Sequence, residues 1–397
     1  MLEIEIKEIK MKKFLAVSFT LVLVMMCFTL SVFAADAITE SPGVKVVIDG
    51  QIGAYPDTPI TVNGRTLLPL RAILANLGVQ NDDQHIIWNG SESSVTVIKD
   101  SQKIYLKIGS GKAYVNGAEV LLDAAPVIYR NKTYIPARFV AQSLGKKVVW
   151  DPATTSVLIR EESEYNRIKE ILEKSNAAMD AINNCSIKLD VSANTAQEGL
   201  EVDLGMQFAG AIDKAKKKMH LNMKMSMIGI DMETDSYYAD NTVYTKNPFT
   251  EEWEKEILPK AEYDKVFASK NSIDVLDATD VLCAGLKEVK SQNSNEILLR
   301  GDVFLGELVD RMSQDESTSN AVFDRFNLEL SIDRSTYRAN SIAMDVDFHS
   351  AEDSSAEKSN MKMKCEYSGY NSSSEIVVPQ DVIKNAVERT EFEDDSL

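Results

Sequence analysis

Two periods of apolar residues divide the chain into predicted helices and strands. A spacing near 3.6 marks a short stretch ending at Leu77 and a longer one over residues 161–183, which predicts amphipathic helices. Apolar and polar residues alternate over residues 185–257 and again over 326–368. Alternation of this kind predicts long antiparallel strands with one apolar and one polar face. The pattern therefore predicts an α+β protein, with a large antiparallel sheet packed on helices in its second half.

One unit occurs twice in the first 160 residues. TLLPLRAILANLG at residues 66–78 recurs as TYIPARFVAQSLG at residues 133–145, with Thr, Pro, Arg, Leu and Gly at matching places. A tryptophan follows each copy, Trp88 and Trp150, and five extra residues at about 80–84 delay the first. Each unit predicts a turn, a strand, a short helix that begins after proline, and two strands. The glycine that ends each copy is expected to adopt the left-handed conformation of a helix C-terminus.

The repeated R-x-x-x-x-x-L-G…W pattern resembles the copper amine oxidase N-terminal-like, or stalk, domain of secreted Gram-positive proteins, over residues 44–162. The resemblance implies a duplicated small antiparallel sheet wrapped against helices, used as a non-catalytic appended module. It implies neither copper nor oxidase activity, because the metal and cofactor of the amine oxidases lie in another domain. Arg71 and Arg138 occupy matching places after the proline. They are interpreted either as structural ion-pairing residues or as residues that dock on an anionic cell-wall polymer.

The segments before and after this module predict an exported protein. Residues 1–34 read as a signal peptide, with Lys7, Lys10, Lys12 and Lys13 before an apolar run, and either Met1 or Met11 as the start. Residues 35–43 are predicted to be a linker, 163–389 a second domain and 390–397 an acidic tail. No later apolar run is long enough to span a bilayer. We therefore expect a secreted or envelope-associated protein without a transmembrane segment after signal cleavage.

Charge and histidine content narrow the classes of partner. The net charge is −18, and residues 163–397 hold 26 basic and 45 acidic residues. Such acidity disfavours nucleic acid, whose phosphates need basic partners, and fits a solvated surface. The three histidines are far apart in sequence. No metal site and no cofactor are predicted.

The order of elements in the second domain is similar to that of LolA- and LppX-type lipoprotein-like carrier domains. The resemblance spans residues 165–388 and is carried by the run SYYADNTVYTKNPFTEEWEK at residues 236–255. It implies a half-open, curved antiparallel sheet that curls around helices and shelters an apolar cavity.

Methionine placement agrees with an apolar ligand surface in this domain. Residues 35–162 contain no methionine, whereas residues 163–397 contain eleven. Methionine is flexible and polarisable, so it suits surfaces that accept variable apolar shapes. The alternative is an ordinary sheet-on-helix core. The residues proposed to line a hydrophobic-ligand site are Met219, Leu221, Met223, Met225, Met227, Tyr244, Trp253, Met361 and Met363.

The remaining chemistry gives little support to an enzyme. The sequences G-x-S-x-G, H-E-x-x-H and a P-loop are all missing. Asp345 and Asp347 could form a carboxylate pair, which needs no motif. Cys185, Cys283 and Cys365 are interpreted as buried free thiols, with a Cys185–Cys365 disulfide as the alternative.

Three functions remain open at this point. The first is a non-enzymatic envelope protein with a docking module and a domain that binds a lipid or another apolar ligand. The second is a purely structural or adhesive surface protein. The third is a hydrolase that uses paired carboxylates. The partners expected for the first two are a lipid, a wall polymer or an envelope protein.

Overall fold

The structure is a computed structural model that describes residues 38–53, 57–152, 155–197, 200–227, 229–268, 278–302, 321–350, 359–372 and 375–389. The predicted signal peptide and the acidic tail lie outside the described residues. Within them, no helix is both long enough and apolar enough to cross a bilayer.

The first module consists of three small sheets and two short helices, α1 (Leu70–Asn76) and α2 (Ala137–Ser143). The first sheet contains, in spatial order, β1 (Ile38–Glu40), β4 (Ile60–Val62), β5 (Arg65–Pro69), β12 (Lys132–Pro136) and β11 (Val127–Tyr129). The second contains β10 (Ala118–Leu121), β9 (Lys112–Val115), β8 (Gln102–Lys107), β7 (Ser94–Lys99) and β6 (Ile86–Asn89). The third contains β13 (Lys146–Asp151), β14 (Ser156–Glu161), β2 (Lys45–Ile48) and β3 (Gln51–Ile52).

The duplicated unit folds as the repeat predicts. Each copy runs strand, short helix, strand, strand, and β5 of the first copy pairs antiparallel with β12 of the second. Gly78 and Gly145 follow the two helices with φ of +78° and +75°, so the expected left-handed glycines are confirmed. Ile38–Glu40, within the segment predicted to be a linker, forms β1 and pairs with β4. The described part of that segment therefore contributes to the module's sheet.

The second domain is built on one twelve-stranded sheet, as the alternating pattern predicts. Its strands, in spatial order, are β21 (Lys287–Val289), β22 (Glu296–Asp302), β23 (Ala321–Asp333), β24 (Ala339–Ser350), β25 (Ser359–Ser368), β15 (Asn184–Gln197), β16 (Leu200–Asp213), β17 (Lys218–Met227), β18 (Ile230–Ala239), β19 (Thr242–Lys246), β20 (Trp253–Ile257) and β26 (Val387–Glu388). The helices are α3 (Glu162–Asp180), α4 (Lys260–Ala268), α5 (Asp280–Gly285) and α6 (Gln380–Asn385). The buried residues of helix α3, which include Ile168 and Leu172, pack against the sheet.

The apolar pattern over residues 260–290 predicts one or two helices, and two are present in that stretch, α4 and α5. Helix α5 ends at Gly285, before the end of the stretch. Leu286 is already extended, with ψ of 150°, and β21 pairs with β22 directly afterwards. The sheet edge supplies backbone hydrogen bonds that override helix propensity here. The apolar pattern also predicts that Val275 and Leu276 face inward and that residues 303–312 form a helix, but these residues lie outside the described ones.

The third sheet of the module lies between two cores. Val46 and Val157 point into the module's own core with α1 and α2. Their neighbours Val47 and Leu158 point the other way, into the core formed by α3, α5 and the large sheet. Successive strand residues face opposite sides, so β2 and β14 are buried on both faces. The two domains therefore share a hydrophobic core along this sheet.

Candidate ligand-binding face

Strand alternation gathers methionines on one side of the large sheet. In β17, Met219, Leu221, Met223, Met225 and Met227 share a face, because every second residue points the same way. The antiparallel register places the apolar residues of β15, β16, β18 and β25 beside them. We call this surface the methionine face; it consists of Leu189, Val191, Leu204, Met206, Phe208, Met219, Leu221, Met223, Met225, Met227, Met232, Met361 and Met363.

Met361 and Met363, more than 130 residues from β17 in sequence, belong to this face. Met363 lies opposite Val191 in β15, Val191 lies opposite Met206 in β16, and Met206 lies opposite Met225 in β17. Adding Met344 and Met232 at the two ends gives one apolar row across six strands. With strands about 4.8 Å apart, the row is roughly 24 Å long. An acyl chain spans about 15 Å of one bilayer leaflet, so the row is long enough to hold one.

Burial changes along this row. At one end Met344 is only 4% exposed and belongs to the core beneath α3. From β25 onward the members of the methionine face are half-buried, and at the hairpin end Met227 is exposed. Ile230, opposite Met227, is 60% exposed. The apolar side of the sheet therefore has a closed half over β22–β24 and an open half over β15–β18.

Tyr244 and Trp253, also predicted to line the ligand site, lie on the opposite side of the sheet. Tyr244 pairs with Tyr237, whose cross-strand partner His220 alternates with the methionines of β17. Trp253 is 5.8 Å from Tyr237, ring centre to ring centre. Val378 and Val382 at α6 cover this aromatic group. The structure thus brings seven of the nine predicted residues together and separates these two.

The polar side of the sheet carries a groove of about 660 Å³ that the sequence did not predict. Asp345 of the predicted carboxylate pair lines this groove with Arg325, which contacts Asp345 at 3.1 Å and Asp347 at 2.8 Å. The Asn360 amide donates to both carboxylates at 2.7 Å. The hydrogen bond to Asp347 raises the pKa of Arg325. Both carboxylates are thus held in charge-assisted hydrogen bonds to Arg325.

The three cysteines among the described residues, Cys185, Cys283 and Cys365, are free thiols, as the sequence interpretation favoured. Cys365 lies opposite Leu189, four residues along β15 from Cys185, so the register keeps the two apart. Burial raises the pKa of all three thiols, and that of Cys283 to about 11. Protonated, buried thiols are poor metal ligands and nucleophiles. In the described part of the chain, no three His, Cys, Asp or Glu side chains cluster as metal ligands would.

The two arginines of the duplicated module have different surroundings. Arg71 donates to the Asn81 side chain at 2.6 Å and lies 3.8 Å from Asp83. Arg138 is exposed and borders a pocket of about 210 Å³ that also contains Trp150. The structure therefore places these matched residues in unlike sites.

Models of two protein families match the two halves of the chain. The family model of the copper amine oxidase N-terminal domain matches residues 47–159, within the span of the first resemblance stated above. The model of a family of unknown function (DUF6612) matches residues 167–387, more than half of the chain. No curated protein matches.

Similar solved structures include proteins of the two types named from the sequence, LppX and LolA. The Mycobacterium tuberculosis lipoprotein LppX is 8% identical, with 53% of this chain and 99% of that chain covered and a TM-score of 0.30. LprF from Mycobacterium bovis is 11% identical, with 54% and 97% covered and a TM-score of 0.30. A LolA superfamily protein from Nitrosomonas europaea is 9% identical, with 54% and 96% covered and a TM-score of 0.20. Sequence identities and TM-scores this low give no information about which ligand this chain binds.

Proposed function

We propose that this chain, which belongs to the family of unknown function DUF6612, binds an apolar ligand such as a lipid acyl chain across its methionine face. The observation that carries the proposal is the half-buried row from Met363 through Met206 and Met225 to Met232, which continues to the exposed Met227 and Ile230 at the hairpin end. Contiguous exposed apolar surface marks a site of interaction. Methionine side chains allow such a surface to adapt to chains of different shape.

The ligand would lie beside the closed core rather than inside it. Met361 and Met363 pack against the residues under α3 and α5 while remaining half-buried. They therefore form the boundary at which the sealed half of the sheet becomes open. The proposed contacts are the predicted residues of the methionine face, and Tyr244 and Trp253 are not among them.

The proposed setting is outside the cytoplasm. The basic and apolar pattern of residues 1–34 supports export. The duplicated module supports a place at the cell envelope, where it would act as a non-catalytic part fixed to the ligand-binding domain. Fusion of the two domains along the third sheet supports one rigid body rather than a ligand-binding domain on a flexible tether.

The test is binding of a fluorescent fatty acid, cis-parinaric acid, to the purified chain, together with mass spectrometry of its organic extract. Met225→Lys places a charge on the methionine face, and a half-buried lysine stem can reach water, so the fold is expected to survive. Ser226→Lys is the matched control, because Ser226 is adjacent, exposed and on the polar face.

We expect saturable binding that Met225→Lys weakens at least tenfold and that Ser226→Lys leaves unchanged. Equal binding by both variants would remove the methionine face as the site. An extract without apolar compounds, combined with no binding of the probe, would favour the structural or adhesive function instead.

A further inference from the structure

The two copies of the duplicated unit differ at their matched arginines. In the first copy, both contacts of Arg71 lie in the five extra residues that only this copy has: Asn81 at 2.6 Å and Asp83 at 3.8 Å. The second copy has no such insertion. There the side chain of Arg138 makes no hydrogen bond or ion pair with any other residue in the described ranges, and the residue is exposed. The insertion thus occupies one arginine, and its absence leaves the other available.

The available arginine borders a pocket built from both copies. Because β5 and β12 pair antiparallel, the start of β5 lies near the start of α2. Arg65 and Thr66 of the first copy therefore line the same pocket as Arg138 and Trp150 of the second. The volume of this pocket is about 210 Å³. Val149 and Val157 form part of the wall and are buried.

The chemistry of the lining is that of a site for a small polar ring. Trp150 is 38% exposed, so part of its indole can stack on a ligand ring. Arg65 is paired with Asp123 at 3.4 Å, and this pair offers both donors and an acceptor. Arg138 adds an unpaired positive charge that suits a carboxylate or a phosphate.

The size of the pocket limits what can enter. Pockets for drug-sized ligands have volumes of about 300–1,000 Å³, so 210 Å³ fits about one ring. A bare anion would not need the indole, and an apolar ring would not need Arg65 and Asp123. A sugar ring with an acidic substituent uses all of these groups.

We propose that Arg65, Arg138 and Trp150 form a binding site for one acidic sugar unit of a glycan, and that the matching place at Arg71 does not. The acidic group would contact Arg138, the ring would stack on Trp150, and hydroxyl groups would bond to Arg65 and Asp123. This site is separate from the methionine face and goes beyond the function proposed above. Loss of either site leaves the other intact.

The test is calorimetric titration of the full chain with glucuronic acid and with glucose 6-phosphate, which separates a carboxylate from a phosphate ester. Glucose and inorganic phosphate are the matched ligands that lack the charge or the ring. We expect at least one acidic sugar to bind with a Kd of roughly 1 mM, as suits a single small ring. Glucose and inorganic phosphate should each bind at least tenfold more weakly.

Arg138→Gln should weaken binding of the acidic sugar at least tenfold, whereas Arg71→Gln should leave it unchanged. Both side chains are exposed, so both variants should fold, and thermal unfolding checks this. Trp150→Ala should also weaken binding. The proposal is overturned by absence of saturable binding of both acidic sugars or by equal effects of the two arginine variants. It is also overturned if inorganic phosphate binds as well as glucose 6-phosphate.

Discussion

Arg160 Nε donates a hydrogen bond of 3.2 Å to the backbone carbonyl of Ala284, and this bond joins the duplicated module to the second domain. Arg160 is at the end of β14, and Ala284 is in α5. Two further bonds cross the same boundary: Asp302 N donates to the Gly50 carbonyl at 3.0 Å, and Ile52 N donates to the Asp302 carboxylate at 3.2 Å. Polar and apolar contacts together make this boundary resemble the interior of a single domain.

A consequence is that the two domains should unfold together. Leu158→Ala removes a side chain that is 1% exposed in the shared core, and about 2–5 kcal/mol of unfolding free energy should be lost. Val157→Ala, at the neighbouring position, leaves a cavity in the module's own core. The loss of unfolding free energy should be smaller than for Leu158→Ala because fewer carbons are removed. Calorimetry should show one transition that both substitutions shift to lower temperature. Two separate transitions, only one of which responds to Val157→Ala, would contradict a shared core.

A close backbone approach beside this boundary gives a second prediction. A Cβ added at Gly301 would collide with the Gly285 carbonyl oxygen, so Gly301→Ala forces β22 and α5 apart. We expect a loss of about 1–3 kcal/mol in unfolding free energy, measured by urea denaturation. Gly43→Ala is the control, because a Cβ at Gly43 would have no neighbour within 4 Å and the backbone there is not left-handed. An equal effect of the two substitutions would show that the crowding at Gly301 is unimportant.

The periodicity of apolar residues is sufficient to predict those helices and strands whose formation depends on local sequence. The repeat predicted both short helices and the left-handed Gly78 and Gly145, and alternation predicted the face shared by Met223 and Met225. The opposite placement of Tyr244 depends on the Asp240–Asn241 turn, where both residues have positive φ and fix the β18–β19 register. Register is a relation between strands, and alternation within one strand does not specify it.

A signal for the shared core was nevertheless present in the sequence. The five residues Ser156 to Arg160 are all buried in β14, and Val157, Leu158 and Ile159 form an uninterrupted apolar run. A run of this kind is typical of strands covered on both faces. What it does not specify is which elements cover the second face, because α3 and α5 come later in the chain. The contact between Arg71 and Asn81 likewise required the fold of the inserted loop.

The reactivity of the Cys365 thiol should show how accessible the methionine face is to solvent. Cys365 lies on that side of the sheet, between Leu189 and Ile342, and is half-buried, whereas Cys283 is fully buried with a pKa of about 11. A maleimide at pH 7.5 should therefore label Cys365 first and Cys283 only after unfolding, because the thiolate is the reactive form. Peptide mass spectrometry would locate the label, and Cys365→Ser should remove the fastest phase.

Occupancy of the methionine face should slow the same reaction. Cis-parinaric acid at saturating concentration is expected to reduce the labelling rate of Cys365 severalfold by covering the neighbouring Leu189. The rate at Cys283 should not change, since Cys283 lies on α5 and is already buried in the core with the residues of α3. Labelling of Cys283 as fast as that of Cys365 in the folded protein would contradict the deeper burial of Cys283.

Acid stability should depend on Asp333, which holds the turn between β23 and β24. One of its carboxylate oxygens accepts hydrogen bonds from the Ser335 hydroxyl at 2.6 Å and the Thr336 backbone N–H at 2.8 Å. The Ser335 bond is the largest cause that lowers the pKa of Asp333 to about 2, from 3.8 for an unperturbed side chain. A lowered pKa in the folded state stabilises the protein above pH 4, and this contribution disappears as the pH falls through 2.

Asp333→Asn separates this effect from the rest of acid unfolding. The variant should be less stable than the wild type at pH 6, because an amide oxygen accepts the turn's hydrogen bonds more weakly than a carboxylate does. The difference in unfolding free energy should shrink between pH 4 and pH 2, where the wild-type carboxylate becomes protonated. Urea denaturation of both proteins at intervals of half a pH unit measures this difference in unfolding free energy. A difference that stays constant from pH 6 to pH 2 would mean that the charge of Asp333 does not stabilise the turn, and its role would then be one of geometry alone.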